Sequence, residues 1–422
     1  MASTLAADPD PTIEVVDPPG RWVALAVLAI GTILAMSPWF SSSAVAPSLA
    51  AEWDASAFEL SLLVVAVQLG FAAGALALAV TGASDVIRGD RLFAAGAVVA
   101  GVANLAFAVL ADGPLAGIPA RAVTGAALAA VYPVGMKLIA GWFRRDRGLA
   151  IGVLIAAVTV GSAMPHLFRA VGALADVDWR TVVAFASVAT FLGGGLVLTG
   201  GRPGPFDTPA PRFSVQIAAA AFRQPSVRLA NLGYLGHMWE LFAMWTWIPL
   251  FLAASLAASG SDDAALASLA AFAVMAAGAV GCVGAGLYAD RFGRTTATIV
   301  AMAVSGSCAL LVGLLFGASP WLVVALATVW GVTVVADSAQ FSAAVSELAP
   351  PGTAGSALQV QVASGFVLTA VTILAVGAIA PTDAGGWQVA FSALALGPAV
   401  GIVAMWRLRR RPDAVRMASG HR

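Results

Sequence analysis

The chain has 422 residues, 60% of them hydrophobic and only 10% charged, with a mean hydropathy of +0.91. Soluble globular domains are roughly half apolar and one quarter charged, so an ordinary soluble enzyme is excluded and lipid is the expected solvent. The 22 basic and 22 acidic residues cancel, and Lys137 is the sole lysine, which leaves no polybasic surface for nucleic acid.

Residues 1–20 carry Asp8, Asp10, Glu14 and Asp17 among prolines and glycines. No basic segment leads into a short apolar run there, so a disordered tail is expected rather than a signal peptide. Apolar stretches able to cross about 30 Å of hydrocarbon then begin near Trp22, Phe58, Leu92, Pro114, Gly148 and Thr181. Six more begin near Val227, Ala264, Thr295, Pro320, Ala354 and Trp387. Each must be helical, because backbone groups in lipid have to be paired within their own segment. Prolines 38, 133, 165, 249 and 398 are expected to kink them.

The predicted fold is therefore an all-α integral membrane protein of twelve transmembrane helices in two six-helix bundles, 21–200 and 227–408. Residues 201–226, with Pro203, Pro205, Pro209 and Pro211, form the predicted cytoplasmic linker, and 409–422 a basic cytoplasmic tail. Arginines cluster after even-numbered spans: Arg88 and Arg91; Arg144, Arg145 and Arg147; Arg202, Arg212, Arg223 and Arg228; Arg291 and Arg294; Arg407 to Arg411 and Arg416. Odd-numbered connections carry acids instead, among them Glu52, Asp112, Asp176, Asp262 and Asp383. The positive-inside rule then puts both termini in the cytoplasm and the protein in the plasma membrane. Trp22, Trp53, Trp142, Trp179, Trp321, Trp387 and Trp406 lie near span ends, where an interfacial aromatic belt places them.

The halves read as copies at an offset of 205: Trp22 against Val227, and Asp85 against Asp290. Trp179–Phe185 (WRTVVAF) and Trp387–Phe391 (WQVAF) open the sixth and twelfth spans alike. Such duplication marks a transporter built from two bundles around a central site. After the eighth span the chain reads Gly286, Leu287, Tyr288, Ala289, Asp290, Arg291, Phe292, Gly293, Arg294. This resembles the G-x-x-x-D-R-x-G-R loop of the major facilitator superfamily. In the first half the loop is degenerate: Thr81 replaces the first glycine and Val86 the arginine, with Asp85 retained. Arg121–Ala129 (RAVTGAALA) is similar to the superfamily's R-x-x-x-G element, which the resemblance associates with proton-coupled members. Gly152, Gly161 and Pro165 match only part of its antiporter pattern. The resemblance implies the superfamily fold, alternating access and a conformational role for Gly286, Asp290, Arg291, Gly293, Arg294 and Asp85. Physically, Gly286 permits close helix approach, Asp290 accepts bonds at a helix start, and the arginines meet helix C-termini and anionic lipid.

Charge inside a span costs about 2.5–3.5 kcal/mol, so each instance asks for a reason. Arg121 and Tyr132 lie eleven residues apart on nearly one helix face. Arg121 is read as an anchor for an anionic solute or as a partner of a buried carboxylate, with a structural ion pair as the competing account. In the seventh span Asn231, Tyr234, His237 and Glu240 form an i, i+3 ladder, on which imidazole and carboxylate can exchange a proton or simply fix helix packing. Asp337 shares a face with Thr333 and Gln340, and subtracting 205 from it gives Tyr132. Both halves thus present polar groups toward one cavity, or else bond helix to helix. Trp39 with Phe40, and Trp245 with Trp247, are candidates for stacking on a solute, against core packing. His166 and Arg169 fall near the outer end of span five, where Arg169 can snorkel. Gln68 and Asn104 read as helix-joining amides, and Gly70, Gly74, Gly278, Gly281 and Gly284 as close-packing positions.

The expected substrate-binding set is Arg121, Tyr132, Trp39, Tyr234, Trp245 and Gln340; the proton-coupling set is Glu240, Asp337 and His237. Cys282 and Cys308 sit in apolar runs, and three histidines without ligand spacing leave no cofactor or metal site expected. No phosphate-binding glycine loop is present, and no nucleophile or paired carboxylates suggest an enzyme. The expectation is a monomeric secondary transporter moving a small organic or inorganic anion with protons. Two rivals stay open: proton-antiport efflux of lipophilic or cationic compounds, and a transport-inactive sensor or scaffold.

Overall fold

The structure is a computed structural model that describes residues 18–207, 213–379 and 381–421. The predicted N-terminal tail lies outside the described residues except for 18–20, as do 208–212 of the predicted linker. Eleven helices are long and apolar enough to cross a membrane: Ala57–Thr81, Gly89–Leu110, Pro114–Ala140, Arg147–Leu174, Trp179–Gly200, Pro225–Ala258, Ala264–Phe292, Arg294–Leu315, Pro320–Leu348, Ala354–Ile379 and Ala384–Arg409. Numbered in chain order, they are spans two to twelve. Their starts fall within about three residues of the hydropathy reading, because local chemistry fixes helix N-termini. Pro114, Pro225 and Pro320 take the first helical position, where a missing N–H costs nothing. Ser56 and Glu59 form a reciprocal capping box, and Asp178, Asp263 and Asp383 accept from first-turn N–H groups.

Span one departs from a simple kink. Its first helix, Arg21–Ala35, has 15 residues, about 22 Å, too short to cross alone. An irregular stretch at 36–40 follows, then short helices Ser41–Ala44 and Ala46–Trp53. Span four is likewise interrupted at Ala129–Val131 and span ten at Asp337. Those breaks flank Pro133 and its repeat-related position, so the interruption is itself duplicated. Pro165 and Pro249 instead lie inside continuous helices. The spread is physical: a proline removes one backbone bond, and whether the helix parts depends on what else can satisfy the freed carbonyls.

Close backbone approach is also duplicated. A Cβ at Gly125 would run into the Val67 carbonyl oxygen, and one at Gly70 into that of Ala122, which locks spans two and four. In the second half, Gly331 faces the Val274 carbonyl and Gly281 that of Val332, locking spans eight and ten. Gly284, by contrast, faces open space. We expect Gly125→Ala and Gly331→Ala each to destabilise the protein by about 1–3 kcal/mol, through overpacking against immovable backbone. Gly284→Ala should leave thermal unfolding in detergent unchanged; equal effects at all three positions would contradict the packing account.

Both ends of the described chain meet one face of the bundle, called here the terminal face. There Arg21 pairs with Asp146 at 3.3 Å, Arg294 with Glu347, and Arg409 donates to Thr296. On the opposite face Arg180 clamps Glu52 through two bonds of 2.7 and 3.0 Å. Spans five and eight pack along each other, as do spans two and eleven, and these contacts join the halves.

Candidate functional site

A chamber of about 300 Å³ lies between the halves. Spans four and five contribute Tyr132, Met136, Ile151 and Ile155; spans seven, ten and eleven contribute Tyr234, Met238, Trp245, Ser338 and Phe366. The wall is apolar with few polar handles, the usual make-up of an organic-ligand site. Neither tyrosine hydroxyl bonds to another described residue. The indole N–H of Trp245 also has no partner among them. Two of the chain's three tyrosines thus sit in this one chamber.

Toward the terminal face the chamber continues into a vestibule of about 550 Å³, since Ile151, Ala339 and Ala343 line both. Arg144, Arg147 and Arg294 line it with Asp146 and Asp290. Toward the opposite face the way is shut by an aromatic plug. Trp39 stacks on Phe242 at 5.9 Å, Phe71 meets Phe366 at 4.5 Å, and Phe242 meets Phe366 at 5.1 Å. Ser43 Oγ donates to the Thr246 carbonyl at 2.9 Å, stitching span one to span seven above the plug. The chamber is therefore open to one face only.

Of the six expected solute-binding residues, the structure brings Tyr132, Tyr234 and Trp245 together at the chamber wall. Trp39 belongs to the plug and is buried. Gln340 lines the vestibule, where it accepts from Arg294 Nη1 at 2.8 Å. Arg121 is placed elsewhere altogether: it is fully buried, and both terminal nitrogens of its guanidinium are bonded inside the first half, with Nε left without a partner among the described residues. Nη2 donates to the carbonyls of Pro38 and Trp39 at 3.0 and 2.7 Å, and Nη1 to Ser41 Oγ and Asn104 Oδ1 at 2.9 and 2.8 Å. The break in span one strips the Trp39 carbonyl of a backbone partner and leaves that of Pro38 to the Ser41 N–H and hydroxyl. Arg121 thus caps an interrupted helix in a medium where an unpaired carbonyl costs several kcal/mol. It does not face the chamber, and no carboxylate pairs with it among the described residues. Asn104 joins helices as expected, donating to the Val183 carbonyl and Ser187 Oγ.

The proton-coupling candidates divide differently from the predicted ladder. His237 turns to span ten, with Nδ1 2.8 Å from Asp337 Oδ1 and both side chains buried. Glu240, one turn along, accepts from Trp330 Nε1 at 2.7 Å and from Ser305 Oγ at 2.9 Å. Glu240 thus ties spans seven, nine and ten by hydrogen bonds, and the His237–Asp337 charge contact, which lacks hydrogen-bond alignment, brings spans seven and ten together a second time. Asp337 sits at the interruption of span ten, beside the chamber-lining Ser338, and His237 is next to the chamber-lining Met238. The pair lies directly behind the wall. Trp330, Ser305 and the plug phenylalanines were not singled out from sequence; an indole at i−7 from Asp337 in a hydrophobic run looks like core until the carboxylate opposite is known.

In the loop motif, Gly293 adopts φ +92°, which only glycine takes without strain, and ends span eight against span nine. Arg294 chelates Glu347 at 2.8 and 2.6 Å, fixing span nine to span ten. Arg291 covers the Phe292 ring, and Asp290 is exposed at the vestibule rim. Gly286 borders the open vestibule, with nothing within reach of a Cβ, so the close approach expected there is absent with the vestibule open. In the first half Asp85 accepts from Lys137 Nζ at 2.5 Å. The duplicated loops thus hold their bundles by reversed polarity, acid-on-loop in one half and base-on-loop in the other. No group of three or more His, Cys, Asp or Glu side chains among the described residues is placed to hold a metal.

Comparison with solved structures gives the same architecture. A D-xylose–proton symporter superposes with a TM-score of 0.72 at 15% identity, over 94% of this chain and 99% of that one. A bacterial homologue of the human lysosomal transporter Spinster gives 0.70 at 15% identity, over 94% and 98%. The nucleoside transporter NupG gives 0.68 at 16% identity, over 92% and 99%. Among curated proteins, MFS transporter asaE of Aspergillus flavus is 26% identical over 179 residues, 42% of this chain and only 39% of that protein's length. A sequence profile of the Major Facilitator Superfamily matches residues 28–371. With this match and an all-helical architecture whose structural neighbours are transporters of that kind, the chain belongs to the Major Facilitator Superfamily.

Proposed function

We propose that this protein is a proton-coupled secondary transporter of small organic solutes with a planar, largely apolar body, working as a monomer by alternating access. It resides in the plasma membrane with the terminal face toward the cytoplasm. The chamber is the observation that carries this reading: aromatic and methionine walls whose polar handles are all neutral, Tyr132, Tyr234 and Trp245 with the hydroxyls of Thr159, Ser338, Ser342 and Ser346, and no charged lining residue. Such a wall rewards stacking and apolar burial and gives a bare inorganic ion nothing for its lost hydration. The internal commitment of Arg121 removes the strongest argument for an inorganic anion. Proton coupling rests on His237–Asp337 behind the wall, with Glu240 as a second acid.

The anion reading keeps one supporting observation. Three arginines against two aspartates line the vestibule, an excess of one positive charge on the route to the chamber. That favours organic anions over organic cations in approach, and fits a weak acid whose body fills the chamber. The test is uptake into proteoliposomes under an imposed proton gradient, comparing benzoate, formate, nitrate and an aromatic cation. The proposal expects benzoate to be carried best, with Tyr234→Ala and Trp245→Ala each raising its KM by up to about tenfold, the size of one good aromatic contact. Preferred uptake of nitrate or formate, or no response to either substitution, would contradict it.

A further inference from the structure

On the face opposite the termini the halves leave a second crevice of about 180 Å³ that shares no lining residue with the chamber or the vestibule. His166 and Arg169 of span five line one side; Ser261, Asp262 and Asp263, leading into span eight, line the other. His166 is 1% exposed, and its Nε2 has no hydrogen-bond partner among the described residues. A buried imidazole nitrogen left unpaired is costly unless something else satisfies it. Arg169, one helical turn on, is half-buried and makes one long bond of 3.4 Å to Ser48 Oγ, with no ion pair among the described residues. Across the gap both aspartates are exposed. Asp263 spends Oδ1 on capping span eight, at 2.9 and 3.0 Å, and Asp262 has no partner among the described residues. A basic and an acidic wall therefore face each other without closing into salt bridges.

We propose that this crevice binds a small zwitterion of the amino-acid or betaine class, its carboxylate on the Arg169–His166 wall and its ammonium toward Asp262 and Asp263. A ligand of single charge satisfies only one wall, whereas a compact dipolar ion complements both. The His166 ring supplies the directional partner that surface charges lack. The site goes beyond the transport reading: it faces the other side of the bundle and lies between the halves, where occupation bridges spans one and five to spans seven and eight.

Equilibrium binding of radiolabelled glycine and glycine betaine to the purified full-length protein tests the site directly. At least one is expected to bind saturably, with acetate and methylammonium in hundredfold excess displacing neither. Arg169→Gln and Asp262→Asn should each weaken binding by at least about tenfold. Asp263→Asn should do so while keeping span eight capped, because asparagine caps as well as aspartate. Thermal unfolding and binding of a chamber solute verify that the variants remain folded, and Tyr234→Ala should leave zwitterion binding intact. Absence of saturable binding of both probes, displacement by acetate alone, or indifference to all three charge substitutions overturns the proposal. Because the readout is binding, a failure here leaves the transport reading standing, and loss of proton-driven uptake with zwitterion binding intact would sink only the latter.

Discussion

Asp337→Asn is expected to abolish proton-driven solute accumulation while sparing solute exchange. In proteoliposomes carrying a proton gradient, the wild-type protein should concentrate its solute, since each charge moved across 100 mV is worth about 2.3 kcal/mol, roughly fiftyfold. The variant should equilibrate to a ratio near one yet still catalyse counterflow, which needs the chamber but no net proton movement. The reason is geometric. Asp337 occupies the interruption of span ten, is met by His237 from span seven, and abuts the chamber wall at Ser338. The contact joins two spans that line the chamber, so a change in its charge and a change in chamber shape are linked through one place. Glu240→Gln should have the milder effect, because the amide oxygen can still accept from Trp330 Nε1 while the amide nitrogen donates to the Ser305 hydroxyl, which can reverse its role. Full accumulation by Asp337→Asn, or loss of counterflow along with accumulation, would contradict the assignment.

Arg121→Leu is expected to be the most damaging single substitution for stability. It removes four donor bonds at once and leaves the Trp39 carbonyl without a donor among the described residues, while the Pro38 carbonyl keeps only Ser41. Bonds from a charged donor are each worth about 1.5–3 kcal/mol, so a loss of at least about 3 kcal/mol follows from the four bonds together. Arg121→Lys keeps the charge but not the fork, and a compact ammonium cannot serve all four acceptors. It should retain the fold at reduced stability. The informative comparison is solute affinity in Arg121→Lys: a positioning role leaves it within about twofold of wild type, whereas a solute anchor in the chamber loses about tenfold or more. Thermal unfolding together with equilibrium binding separates the two.

Span positions were legible because lipid enforces helix over most of each crossing and because Pro, Ser and Asp punctuate the starts; the openings at 36–40, Ala129–Val131 and Asp337 were not. The offset of 205 relates Asp337 to Tyr132, and both lie at interruptions of their spans, but only Tyr132 lines the chamber. Side-chain partners were less legible. Helical spacing says that His237 and Glu240 share a face, but span ten meets them at two heights, Asp337 at His237 and Trp330 at Glu240, and span nine adds Ser305 to Glu240 alone. Arg121 illustrates the deeper limit. Its spacing to Tyr132 presumes one unbroken helix, whereas span four is interrupted between them at Ala129–Val131; where the side chain turns also depends on a break in another helix, and a lone Pro38 cannot distinguish a kink from an opened turn. Aromatic residues were the reverse case: Trp245 reads equally well as core or as wall, and only the packing of two halves decides.

The central claim is that the halves rock about the chamber, exposing it to each face in turn. Pulsed electron-paramagnetic distance measurement on two labelled pairs tests it most directly, one across the vestibule at Gly148 and Leu287, the other across the opposite face at Pro47 and Asp262. Acidification with a carried solute should shorten the first distance and lengthen the second in the same sample. Distances that stay fixed under every condition, or that grow and shrink together, would contradict alternating access about this chamber.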